Sequence, residues 1–72
     1  MMYKTTIKKQ LEMMDKIKSV LKPHEYKKID DVRIQLLIKK RSKNDWLLDE
    51  MIKDMKCGGN IELCGNSIRI NQ

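Results

Sequence analysis

Residues able to do chemistry are few in this 72-residue chain, and their spacing excludes most of it. There is one histidine, His24, and there are two cysteines, Cys57 and Cys64. These three have none of the close ligand pairings of a zinc site, so His24 is expected to be a structural or surface side chain and the thiols to be free. Asp30 and Asp31 form a carboxylate pair that could hold a divalent ion, but a solvated turn explains them as well. No Ser/His/Asp set, phosphate-cradling glycine loop or helix with paired acids is present. No catalytic residue, metal site, cofactor or small-molecule substrate is therefore expected, and the chain reads as a non-enzyme. Two cysteines without a secretory segment suit a reducing, cytoplasmic setting, and the lysine-punctuated N-terminus contains neither a signal peptide nor a membrane span.

Charge is what remains. Sixteen Lys and Arg against ten Asp and Glu leave a net +6, which favours nucleic acid or another anionic surface as partner. The densest run is Lys39, Lys40 and Arg41, with Lys43 just beyond Ser42.

Those cations must be positioned by elements, and the last of these is the most sharply defined. Gly65-Asn66 suits a two-residue turn. Closing there pairs Cys64 with Ser67, Leu63 with Ile68, Glu62 with Arg69 and Ile61 with Ile70. That register places apolar pairs on one face and an opposite-charge pair on the other; a one-residue slip would spoil both. Upstream, residues 44–56 read as a helix with Leu47, Leu48, Met51, Ile52 and Met55 as its buried stripe. Ser42 to Asp45 has capping-box spacing, with Asn44 as rival N-cap, and Gly58-Gly59 supplies the C-terminal cap. Trp46 lies off the stripe, as an interface anchor or as packing on a neighbouring loop.

Residues 5–21 read as a long helix capped by Thr5 or Thr6, with Ile7, Leu11, Met14, Ile17 and Leu21 on one stripe and Met13 and Val20 widening it. Pro23 ends it. Residues 24–30 read as a short helix or turn. Over residues 32–40 two periods compete. Val32, Ile34, Leu36 and Ile38 alternate with Arg33, Gln35, Leu37 and Lys39 as in a half-buried strand, whereas Ile29, Val32, Leu36 and Leu37 fit a helix. Strand is the expectation, because a helix here would carry an apolar arc wider than half its circumference, and because a hairpin needs a third strand.

The expected fold is thus α+β: a long helix, a short helix or turn, a strand, a helix and a hairpin over residues 60–71, forming one domain with a three-stranded antiparallel sheet and helices on one face. With no Phe and six Met its core is small and soft. In such a sheet Arg33, Gln35, Lys39, Arg69 and Gln72 share the face opposite Ile34, Leu36, Ile61 and Ile70. Arg and Gln would contact base edges there, while Lys40, Arg41 and Lys43 neutralise phosphates at its rim.

The run from Val32 to Ile70 resembles, as strand, helix and G-x-I hairpin, the second half of a LAGLIDADG homing-endonuclease core. That family's metal-binding signature helix has no counterpart in residues 5–21. The resemblance therefore implies DNA binding without cleavage. Residues 45–70 also resemble a winged-helix DNA-binding domain, with a recognition-type helix followed by G-x-I and a two-stranded wing. That likeness implies that residues 32–40 are the preceding helix. Both imply a small basic DNA- or RNA-binding protein, such as a regulator of a phage or mobile element. The rival class is an inhibitor or adaptor docking on a larger protein, or on a second copy, through Trp46, Leu37, the methionines or the edge of the sheet.

Overall fold

The computed structural model describes residues 6–71. Thr6 opens the first helix: its hydroxyl accepts the Lys9 N–H at 3.2 Å, satisfying one of the donors left free at a helix start. Thr5, the rival cap, and Gln72 lie outside the described residues. Helix α1, Ile7–Val20, ends before Pro23 as expected, and the Leu21 N–H closes onto the Lys18 carbonyl. Its buried side is narrower than the sequence stripe. Met13, Ile17 and Leu21 enter the core, while Ile7 and Leu11 remain 73% and 55% exposed on the helix's N-terminal half.

The chain then turns rather than coils. His24 adopts a left-handed φ of 67°, and Lys27–Lys28 forms strand β1. The short helix or turn expected over 24–30 is a turn and a strand, with the next helix starting at Ile29. The reason lies far along the chain: Lys27 pairs with Ile68 and Lys28 with Ser67, and the Ile29 N–H donates to the Asn66 carbonyl at 2.8 Å.

Residues 32–40 correct the expectation of a strand. Helix α2, Ile29–Gln35, takes the first four of these residues, and residues 36–42 form the turn to the next helix. Asp30 and Asp31 sit in its first turn, where the helix dipole favours them. Burial follows the 3.6 period: Val32 is fully buried and Ile29 and Leu36 pack beside it. Ile34, which a strand would have buried with Val32, is 71% exposed. The wide apolar arc that argued against a helix is real, and its surplus faces solvent. The third strand of the sheet comes instead from Lys27–Lys28.

The end of α2 is a Schellman closure: the Ile38 N–H reaches the Arg33 carbonyl at 3.0 Å and the Leu37 N–H the Ile34 carbonyl at 3.1 Å. Leu37 takes the left-handed position with φ 57°, and its side chain is 92% exposed. Helix α3, Lys43–Cys57, ends in the same way, with Gly59 in that position at φ 79°. Glycine has no Cβ penalty in this conformation, and leucine does. Leu37→Gly is therefore expected to stabilise the fold by about 0.5–1 kcal/mol, after allowing for glycine's greater freedom when unfolded. Thermal unfolding by circular dichroism should show a rise of a few degrees; a clear fall would mean that Leu37 packs against something in solution.

Strands β2, Ile61–Cys64, and β3, Ser67–Ile70, pair in the register read from the turn, from Ile61 with Ile70 to Cys64 with Ser67. Gly65 alone of the two turn residues has positive φ, the pattern of a II′ turn. The sheet is antiparallel with order β1-β3-β2, and the class is α+β. Met13 and Ile17 from α1, Leu21 at its C-cap, Val32 from α2, five residues of α3, and Ile61 and Ile68 make one core.

Candidate nucleic-acid interface

The basic run lies in the turn between α2 and α3, and three bonds fix its backbone. The Ser42 hydroxyl donates to the Lys39 carbonyl at 2.5 Å and accepts the Asp45 N–H at 3.2 Å, making Ser42 the N-cap of α3 in preference to Asn44. The reciprocal half of the capping box is displaced by one residue: the Asp45 carboxylate accepts the Arg41 N–H, not that of Ser42, at 2.8 Å. This bond holds Arg41 in a left-handed conformation, φ 65°. Lys39, Lys40 and Arg41 are exposed, and among the described residues none of the three is held in an ion pair. Lys43 follows as the first residue of α3, also exposed. Four cations thus crowd the positive end of a helix, where backbone N–H groups already favour an anion.

Asp45 is the buried organiser of this turn. Its other oxygen accepts the Arg33 Nε at 2.6 Å, and the same guanidinium reaches Asp30 at 2.5 Å and Asp49 at 3.9 Å. Burial pushes the Asp45 carboxyl upward, but the Arg41 N–H and the Arg33 guanidinium outweigh it, so the group sits below its usual value. Asp49 moves the opposite way, raised by burial and then by the neighbouring Asp45 charge.

The face expected to carry Arg33, Gln35, Lys39 and Arg69 together does not form, because residues 32–40 are not a strand. Arg33 is spent on the clamp between α2 and α3. Gln35 is hydrogen-bonded by the Lys27 ammonium. Arg69 pairs with Glu62 at 2.5 Å and lies over the Tyr26 ring, 5.0 Å from its centroid. The Tyr26 hydroxyl donates to the same Glu62 carboxylate at 3.1 Å, and this bond raises the phenol's pKa. The Glu62–Arg69 pair follows from the register of the hairpin; Tyr26, its third member, has no signal in the sequence, since only the β1–β3 pairing brings it there. Trp46 is half-buried against the core, and Leu37 stands in solvent. The S-x-x-D spacing pointed to Asp45 as a cap, but nothing local showed it as the partner of Arg33, twelve residues away.

The outward side of α3 mixes Lys53 and Lys56 with Asp49, Glu50 and Asp54, and Lys53 reaches Glu50 at 3.8 Å. Positive potential therefore concentrates at the turn and the first residues of α3, not along the helix. The hairpin tip is tied to α2 through the Ile29–Asn66 bond and carries no cation. Among the described residues no group of three His, Cys, Asp or Glu could hold a metal ion, and no helix is long and apolar enough to cross a membrane. Compared with known proteins, the chain matches no family model, no curated protein and no solved structure.

Proposed function

We propose that this chain is a small non-catalytic protein of winged-helix type that binds duplex DNA, seating the start of α3 and its basic turn on the phosphate backbone. The observation that carries the reading is the clamped α2–turn–α3 unit, which holds Lys39, Lys40, Arg41 and Lys43 around the positive end of α3. The order helix, strand, helix, helix, hairpin and the strand order β1-β3-β2 support it. The homing-endonuclease resemblance needed a strand over residues 32–40 and is no part of the proposal. Phosphate contacts dominate here: α3 offers Asn44 near its start for base edges, but acids along its outer side disfavour deep insertion. A cytoplasmic regulator with modest sequence preference, as a phage or mobile element would use, fits this chemistry.

Fluorescence anisotropy with labelled duplex DNA, single-stranded DNA and RNA at several salt concentrations tests it. Four phosphate contacts predict a log–log salt slope of about −3 to −4 on duplex DNA. Replacing Lys39, Lys40 and Arg41 together by Ala should weaken binding by about 10–100-fold at low salt and flatten the slope by about 2–3. No binding by the unmodified chain at low salt would overturn the proposal, as would binding that the triple substitution leaves intact.

A further inference from the structure

Helix α2 turns its apolar surplus outward at one place. Ile34, near the end of α2, and Leu37, two residues beyond it, are 71% and 92% exposed; the Leu37 N–H bonds the Ile34 carbonyl at 3.1 Å, and half-buried Ile38 follows. Ile34 and Ile38 line a shallow depression of about 350 Å³ with Arg33, Asp30 and Lys40. Scattered exposed apolar residues need no explanation. This pair differs, because Leu37 keeps its side chain in a left-handed conformation that glycine would relieve, and gains no burial in return.

The rim is polarised. Lys39, Lys40 and Arg41 stand exposed at the turn end of the patch. Asp30 is held by the Arg33 guanidinium, and Asp31 lies in the first turn of α2, at the opposite end. We propose that the patch is a docking site for an acidic amphipathic segment of another protein, a short helix whose apolar side chains cover Ile34 and Leu37 while its carboxylates meet Lys39, Lys40 and Arg41. A second copy of this chain carries the same net +6, so it offers the three exposed cations less charge complementarity than an acidic segment does. The proposal stands without the DNA reading, but the docked segment and a phosphate backbone would compete for the same turn.

The probe is a short fluorescein-labelled helical peptide with a leucine stripe and glutamate elsewhere. Two controls carry lysine in place of the glutamates, or serine in place of the leucines. The Leu/Glu peptide should bind with a Kd on the order of 10–100 µM, as suits a few anchors on a small surface. Leu37→Gly and Ile34→Ser should each weaken it by about tenfold or more, with unchanged helix content by circular dichroism. Lys40→Glu should weaken it too. Equal binding of the Leu/Lys or Ser/Glu peptide would overturn the proposal, as would indifference to Leu37→Gly. A concentration-dependent dimer in sedimentation that Leu37→Gly abolishes would also overturn it, by giving the patch to a second copy. Peptide binding in a protein that ignores DNA would leave this inference standing while removing the other.

Discussion

Asp45→Ala is expected to remove a large share of the protein's stability while leaving it mostly folded. Arg33 and Asp45 side chains are 14% and 11% exposed, so their pair is mostly desolvated. Removing one partner of such a pair typically costs about 3–5 kcal/mol, because the other charge stays buried without compensation. Here Asp30 and Asp49 still attend Arg33, which puts the expected loss nearer 3 kcal/mol. The same substitution also frees the Arg41 N–H and loosens the turn, so it should reduce both stability and any binding at the basic run. A chain of this size has only about 4–11 kcal/mol of stability to lose. Urea unfolding followed by Trp46 fluorescence would measure the loss, and a change under about 1 kcal/mol would mean that the clamp is solvated in solution. Asp45→Asn keeps an acceptor for Arg41 and should fall between.

The same carboxylate sets an acid limit. Its pKa is lower folded than its ordinary 3.8, so its contribution is fully present above that value and is lost as pH falls through the folded value. Asp49 has a raised pKa and opposes this trend, since its protonation favours the folded state. Asp45 should prevail, as its side chain is 11% exposed against 54% for Asp49. Thermal midpoints should therefore fall below pH 4 in the parent chain, and much less steeply in Asp45→Asn.

Leu48→Ala carries the other large effect. Leu48 is fully buried on α3, the helix that contacts both α1 and strand β2. Truncating such a leucine costs about 2–5 kcal/mol through lost transfer energy and the remaining cavity. With no Phe and, among the described residues, a core resting on eleven buried side chains, few neighbours can move in to fill the space, although Met51 and Met55 are flexible enough to offset part of it. The expected drop in Tm is about 15–30 °C at the middle of that range. Leu37→Gly, eleven positions earlier, should change stability in the opposite direction. The contrast between the two leucines would confirm which side of the α2–α3 unit is core.

Legibility in the sequence followed the range of the interactions. The hairpin was readable to the residue because Gly65-Asn66 sets the register and the flanking side chains agree with it. Helices α1 and α3 were readable because their caps, Thr6, Ser42 and Gly58-Gly59, lie within a few residues of the ends they satisfy. The α+β class and the exposed basic run at residues 39–41 followed from these.

Residues 32–40 were a different case. They carry an alternating and a helical period at once, so local patterning could not choose between them. The choice fell to contacts beyond the segment: the Asp45 carboxylate that takes Arg33, and the edge of β3 that takes Lys27 and Lys28 as its third strand. With β1 supplying the third strand, the segment instead buries Val32 in the core and leaves Ile34 and Leu37 exposed. The sequence by itself thus determined the hairpin, the two long helices and where the positive charge lies. Tertiary structure alone decided the state of residues 32–40, the structural use of Arg33, the seating of Arg69 over Tyr26, and the apolar patch left open on α2. The first group rests on bonds closed between near neighbours, and the second on partners a dozen or more residues away.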